Sequence, residues 1–309
     1  MQKKTEMLTF PNAKINLGLF VTEKRSDGFH NIETILFPIP LFDALEVVTK
    51  SPCRAEQNPS TSHGTNSVET SVGESFDLHI HGFSINGNPK ENLVYKACEL
   101  LKKDFPNLPN IRVDLFKKIP FGAGLGGGSA DATFMLKLLN EKFSLNISNE
   151  NLENYARQIG SDCACFVKNK PVFAYEKGDV FEPIELDLSD YQLLLVCPPI
   201  HVNTKAAYQN IVPCVGSLRA IPLHEIPVCE WKTVLRNDFE TSVFAQHPIL
   251  SDIKQKLYDV GAEFASMSGS GSAMFGLFPI GALHATPLQD IHNFLQIAFK
   301  DCAVFCLDL

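Results

Sequence analysis

The sequence predicts a two-domain chain of mixed strands and helices, on three observations. Its 309 residues exceed the usual size of a single hydrophobic core, so two domains flanking a cleft are the default. Period-two and helical apolar patterns are interspersed along the length. At residues 119–131 a segment almost without side chains, Ile-Pro-Phe-Gly-Ala-Gly-Leu-Gly-Gly-Gly-Ser-Ala-Asp, joins a strand pattern to a helix pattern.

Taken in order, Leu8–Val21 reads as a strand with Ile15, Leu17, Leu19 and Val21 on one face. Lys14 and Asn16 fall together on the other face, toward either solvent or a cleft. The Asp27-Gly28 step marks a hairpin turn. A second strand then runs from Phe29-His30 through Ile32, Thr34 and Leu36, and a third spans Leu41–Val48. Residues 51–75 are Ser, Thr, Asn, Gly, Pro and Glu with little to bury, and read as a mobile surface insertion. Strand character returns at Phe76–Ile80, Asn86-Gly87 marks a turn, and Pro89–Asn92 opens a helix through Leu93, Ala97, Leu100 and Leu101. The strand Ile111–Phe116 precedes the glycine segment, and a helix carrying Phe134, Leu138 and Leu139 follows it. Another helix spans Ser148 to Gly160, capped by Ser148, with Leu152, Tyr155, Ala156 and Ile159 inward. Pro171–Tyr175 is a strand, Lys177-Gly178-Asp179 a turn, and Tyr191–Cys197 a buried strand that opens the second domain. The domains are therefore expected at 1–188 and 189–309. Phe264–Phe278 reads as strand, glycine turn, strand; a helix (Leu288–Phe299) and a last strand (Ala303–Leu307) close the chain.

Composition narrows the function. Apolar content of 45% and charge of 20% describe an ordinary globular protein. A net charge of −8 argues against a nucleic-acid binder, yet leaves room for a nucleotide held locally. The nine scattered cysteines show no zinc spacing and suit reduced thiols. No apolar run approaches a membrane span. Lys14 and Asn16 interrupt the N-terminal apolar stretch and no cleavage site follows, so a cytoplasmic location is expected.

The glycine segment carries the chemistry. Gly122, Ala123, Gly124, Gly126, Gly127 and Gly128 leave backbone N–H groups bare, and the helix that follows turns its positive end toward them, which makes a phosphate cradle. A mere connector would need one or two glycines. No Gly-Lys-Ser/Thr closes the run, which excludes a Walker loop. Gly122, Gly124 and Gly127 spell G-x-G-x-x-G, but a dinucleotide fold needs an apolar strand running straight into the first glycine. Here Arg112 and Asp114 alternate with apolar residues, and Lys117-Lys118-Ile119-Pro120 intervenes.

Pro120 and the glycines after it resemble the second signature of the GHMP small-molecule kinases, named after galactose, homoserine, mevalonate and phosphomevalonate. Ala13-Lys14-Ile15-Asn16 and Gly269-Ser270-Gly271 resemble the first and third signatures, in the right order. Together with Arg25–His30, Gly126–Asp131 and Gly160-Ser161-Asp162, they resemble most closely the branch that acts on cytidine diphosphate-linked methylerythritol in the non-mevalonate route to isoprenoids. The resemblance implies an α+β fold, the N-terminal domain like ribosomal protein S5 domain 2 and the C-terminal one ferredoxin-like, with ATP and substrate between them. It implies transfer of a phosphoryl group from ATP, with Mg2+ expected, to a tertiary hydroxyl. Asp162 would take the hydroxyl proton, and Lys14 would hold Asp162 ionised and steady the hydroxyl or γ-phosphate. ATP would lie on Asn92, Pro120, Gly122, Gly124, Leu125, Gly126, Gly127, Gly128 and Ser129, with Ser129 a ligand to phosphate or metal. The small-molecule substrate would meet Asn16, Phe29, His30, Thr204, Tyr208, Gly269, Ser270 and Gly271, Phe29 stacking on cytosine, His30 bonding its edge and Tyr208 closing the sandwich. Phe29 stands where the family usually has tyrosine, Ser270 where threonine is commoner, and Asp131 varies the glycine motif beyond the loop. Without the resemblance, Phe29 reads as core and His30 as a turn residue. Phe29-His30 argues against a mevalonate or homoserine kinase, whose substrates carry no base, and the pair Lys14 and Asp162 argues against a non-catalytic sensor on the same fold. Neither a nucleic-acid nor a membrane partner is expected, and the oligomeric state stays open.

Overall fold

A computed structural model describes residues 6–50, 76–83, 88–208, 211–213, 216–281 and 288–309. The expected insertion at 51–75 and the turn at Asn86-Gly87 lie outside the described residues. In chain order the strands are β1 (Glu6–Thr9), β2 (Asn12–Lys24), β3 (His30–Phe42), β4 (Ala44–Thr49), β5 (Phe76–Gly82), β6 (Ile111–Lys117), β7 (Val172–Tyr175), β8 (Val180–Pro183), β9 (Tyr191–Cys197), β10 (Phe264–Met267), β11 (Met274–Pro279) and β12 (Ala303–Asp308). The helices are α1 (Leu93–Asp104), α2 (Gly127–Phe143), α3 (Asn149–Ile159), α4 (Cys165–Lys168), α5 (Thr204–Tyr208), α6 (Trp231–Val234), α7 (Phe239–Gln246), α8 (Pro248–Asp259) and α9 (Leu288–Ala298).

Two strand boundaries differ from expectation. The run expected as one strand from Leu8 is broken at Pro11, which has no N–H to give a ladder. β1 pairs antiparallel with β4, while β2 starts afresh at Asn12 and lies beside β3. The strand expected at Leu41–Val48 is likewise two pieces. β3 runs on to Phe42, and β4 begins after Asp43, whose N–H donates to Pro11 O at 2.8 Å.

The contacts gather into two compact units. The first holds the residues to Asn12, Phe42–Phe121 and Gly127–Lys168. Its sheet runs β1-β4-β6-β5, antiparallel except for the parallel β5–β6 pair. β6 alternates strictly, with Ile111, Val113, Leu115 and then Lys117 buried while Arg112 and Phe116 are exposed, the period-two signature of a half-covered sheet. α2 packs on β1 and β4 and against α1, α3 and α4. Ser148 caps α3 as the sequence predicts, its Oγ accepting from Asn151 N. Tyr155, expected inward on that helix, is only half-buried and donates its hydroxyl to Asp104 at 2.6 Å.

The second unit holds Ala13–Leu41, Gly122–Gly126 and the chain from Asn169 onward. One of its sheets runs β2-β3-β7-β8 and the other β10-β11-β9-β12, the latter antiparallel throughout. From β9 onward, strand, helices, two strands, helix and strand in this order make the ferredoxin-like β-α-β-β-α-β arrangement. Leu250, Ile253 and Leu257 of α8 and Leu295 of α9 bury against Leu194, Val196 and Met274 of the sheet, in a core that also takes Leu19 and Val21 from β2.

Candidate functional site

The N-terminal signature is buried rather than solvated. Every residue from Asn12 to Val21 is buried, so β2 is covered on both faces, and Lys14 and Asn16 keep only 3% and 4% exposure. Such a lysine needs partners for its ammonium. Lys14 Nζ donates to Asn16 Oδ1 at 2.7 Å and to Gly124 O at 3.0 Å, and Lys14 N donates to Leu125 O. Asn16 Nδ2 donates to Thr34 Oγ1 at 2.9 Å, and the Thr34 hydroxyl donates in turn to Gly18 O at 2.6 Å. That chain fixes the amide so that its oxygen faces the lysine.

The other two signatures meet it within the same unit. Ser268 Oγ donates to Gly124 O at 2.9 Å and lies 3.4 Å from Asn16 Oδ1. Ala273 N donates to Ala123 O. Gly124 has φ +80°, and a Cβ there would fall 2.1 Å from Ser268 O, so only glycine allows the loop this close to the final turn. Asn237 anchors that turn from beneath, its Nδ2 donating to Met267 O and Gly269 O at 2.8 Å each. Thr204 Oγ1 and Ser270 Oγ are 3.0 Å apart, and Gly122 abuts the His201 ring.

The residues expected to meet the base also belong to this unit. The Asp27 carboxylate accepts from Phe29 N at 3.1 Å, a bond that with Arg25 holds its pKa below the usual range. Phe29 is 62% exposed, with Lys177 Nζ 5.9 Å from its ring centroid, so the core reading of Phe29 fails. His30 stacks on Tyr208, centroids 4.8 Å apart and planes 17° from parallel, and Phe239 meets Tyr208 edge-on. Burial and the Lys24 charge hold the His30 pKa below its ordinary value, so the ring is neutral at neutral pH.

The remaining residues lie in the first unit. Gly127 opens α2, and Gly128 and Ser129 complete its first turn. The Thr133 hydroxyl is shared between Ser129 O at 3.0 Å and Cys163 O at 2.7 Å, tying this helix to the turn that presents Asp162. Asp162 Oδ1 accepts from Ser161 Oγ, and Asp162 O from Cys165 Sγ. Burial pushes the neighbouring Cys163 thiol up to about 12. Asn92 caps α1, its Oδ1 accepting from Val94 N at 2.9 Å. Pro120 sits between the end of β6 and the glycines.

Against this geometry, profiles of the GHMP kinases match twice, the N-terminal domain over residues 92–170 and the C-terminal domain over 230–300. A 4-diphosphocytidyl-2-C-methyl-D-erythritol kinase of Bacteroides thetaiotaomicron is 50% identical over 281 residues, 91% of this chain and 95% of its own length. The chain belongs to the 4-diphosphocytidyl-2-C-methyl-D-erythritol kinase family. A member of that family from Azobacteroides pseudotrichonymphae is 46% identical over 295 residues, 94% of this chain and 100% of its own. The crystal structure of a 4-(cytidine 5'-diphospho)-2C-methyl-D-erythritol kinase superposes with a TM-score of 0.73 at 28% identity, covering 98% of this chain and 100% of that one. The mevalonate kinase of Methanococcus jannaschii, at a TM-score of 0.61 and 14% identity, shares the fold alone.

For a member of the 4-diphosphocytidyl-2-C-methyl-D-erythritol kinase family, sequence reading missed the residues that orient others. Thr34, Thr133, Asn237 and Ser268 are all buried and bond to backbone or to a signature side chain. Ser268 had a visible signal, one position before Gly269. Thr34 had one too, a polar residue among Ile32, Ile35 and Leu36. Asn237 and Thr133 had none, because each bonds a partner about thirty positions away.

Proposed function

We propose that this chain transfers the γ-phosphoryl group of ATP to the tertiary hydroxyl of 4-diphosphocytidyl-2-C-methyl-D-erythritol. One observation carries the reading. Lys14 of the first signature, Gly124 of the second and Ser268, the residue just before the third, converge on a single buried hydrogen-bonded network. A lysine kept there loses solvent screening and acts at close range on developing charge.

In this reading the N–H groups of the glycine segment and the first turn of α2 receive the phosphates, and Ser129 adds a hydroxyl. Asp162 takes the proton of the substrate hydroxyl. Lys14, held by Asn16 and Thr34, steadies the hydroxyl or the transferring group. Phosphoryl transfer needs little more than such positioning and charge stabilisation. Exposed Phe29 offers a face to cytosine, and neutral His30 offers both a donor and an acceptor to its edge. Asn92 serves adenine, and Thr204, Ser270 and Tyr208 line the substrate side. Among the described residues no three His, Cys, Asp or Glu gather as a metal cage. This chemistry fits Mg2+, which keeps waters and phosphate oxygens as most of its ligands and would neutralise phosphate charge. We keep 188/189 as a division between the segments of the two family matches, which end at 170 and resume at 230, while the compact units interleave across it. We place the reaction in the cytoplasm, a reading supported by the free thiols of the described cysteines; no helix among the described residues is long and apolar enough to cross a membrane.

The test is ADP release with three acceptors: the cytidine-bearing alcohol, mevalonate and homoserine. Turnover is expected with the first alone, and Asp162→Asn should lower it by about 10²–10⁴-fold while both substrates still bind. Turnover of mevalonate or homoserine, or an unimpaired Asp162→Asn enzyme, overturns the reading.

A further inference from the structure

Three ionisable side chains that this mechanism does not use are buried together in the first unit. Lys117, Asp43 and Asp131 have side-chain exposures of 2%, 0% and 3%. Lys117 Nζ bonds Asp43 Oδ2 and lies 2.6 Å from Asp131 Oδ2. Asp43 spends its other oxygen on the N–H groups of Lys118 and Ile119, at 2.6 and 2.8 Å. Asp131 Oδ1 is buried with no hydrogen-bond partner.

As a stabilising device this cluster is poorly made. One cation cannot neutralise two buried carboxylates, and an orphaned buried oxygen costs free energy. Burial and the Asp43 charge push the Asp131 carboxyl up to about 7, against the pull of Lys117. The two carboxylates hold Lys117 charged, its pKa raised despite burial.

Its position gives it a use. Lys117 ends β6, and the chain passes through Lys118 and Ile119 straight into the glycine segment. Asp131 lies in the first turns of α2, the helix that receives the chain again at Gly127. These two ends touch, since a Cβ on Gly127 would fall 2.8 Å from Ile119 Cγ2 and 3.4 Å from Lys117 Nζ. The cluster therefore clamps the entrance of the loop to its exit.

We propose that Asp131 is a positioning residue for the glycine segment: through Lys117 it locks the receiving helix to the delivering strand end and so sets the span over which residues 120–126 close on phosphate. The proposal rests on the reading that this segment holds ATP.

Asp131→Asn tests it at pH 8, where the native carboxyl is ionised, because the amide has almost the same shape but lacks the charge that holds Lys117, and leaves Lys117 and Asp43 as a neutral pair. Binding of the non-hydrolysable analogue AMP-PNP is measured by calorimetry, with steady-state constants for both substrates and a thermal melt. We expect Kd for AMP-PNP and KM for ATP to rise about tenfold, within the range that a displaced positioning group costs. KM for the alcohol should not change, and the melting temperature should not fall. A purely structural ion pair would give the opposite pattern, a lower melting temperature with unchanged nucleotide affinity, and that result overturns the proposal. If wild type binds no AMP-PNP, the ATP reading itself fails; if wild type binds and the variant binds equally well, only the clamp fails. Asp131→Ser, which removes the carboxylate with a smaller side chain, reads the same quantities should the asparagine variant not fold.

Discussion

Lys117 is a buried lysine at the end of a strand and sits between two buried carboxylates. That arrangement has a consequence in pH. The Asp131 carboxyl is raised from 3.8 to about 7 in the folded protein, facing Lys117 at the end of β6 and Asp43 before β4. A carboxyl raised by folding is protonated in the native state and ionised in the unfolded one between those values. Its contribution to stability is therefore full below pH 3.8 and is lost as pH climbs toward 7. Chemical denaturation of wild type and Asp131→Asn across pH 4–8 should show the variant gaining on wild type up to about pH 7 and then holding level. A constant offset would show that Asp131 does not titrate there. At this scale the sequence spoke clearly for some residues and not for others. Lys14 and Asn16 were legible as a polar pair on an apolar strand, but their burial was not, because covering β2 on both faces depends on distant segments. The alternation Ile111, Val113, Leu115 extends to Lys117 and marked it for the interior. Asp131 likewise precedes Met135 and Leu138 on the buried stripe of α2. Neither signal names its partner.

Elements carry the next set of constraints. At the start of α2, Gly127 and Gly128 are neighbours in sequence but not in tolerance. Valine or alanine at 127 would strike Ile119 and test packing instead of binding. Gly128 has only Leu93 Cδ1 near its missing Cβ, at 3.9 Å. Gly128→Ala should thus keep or slightly raise the melting temperature, since alanine is better than glycine in a helix by about 1 kcal/mol. It should still weaken AMP-PNP binding, because the added methyl occupies the space of an approaching phosphate. Unchanged affinity in calorimetry would remove residue 128 from the cradle. The alternating strand β6, the largely apolar and buried strands β9–β11, and the capped helix α3 could be read from pattern. Helices α7 and α8 are not among the elements the sequence predicts. α8 nonetheless carries a signal, Pro248 in its first turn and Leu250, Ile253 and Leu257 on one stripe. α7 has no such stripe, burying only Phe239 and Val243, and its helicity comes from tertiary packing.

For the whole molecule, the arrangement that matters is interleaving. The second unit takes Ala13–Leu41 and Gly122–Gly126 from the first half of the chain and everything after Asn169 from the second. Its core needs Leu19 and Val21, and Asp238 N donates to Leu19 O while Val21 N donates to Asp238 Oδ2. A fragment of residues 189–309, cut at the predicted boundary, lacks that strand. It should melt without a cooperative transition and bind a hydrophobic dye; a sharp melt of the fragment alone would show that β2 is dispensable to it. Pattern could not have shown this dependence, because periodicity reports what a segment buries and not against what. The same interleaving bears on how the chain is made. The contact between Val21 and Asp238 spans 217 positions, so at ordinary translation speeds β2 leaves the ribosome roughly 10–40 s before its partner exists. Throughout that interval Leu19 and Val21 lack the C-terminal core they pack into. The strand that bears Lys14 is thus a natural client for a ribosome-associated chaperone.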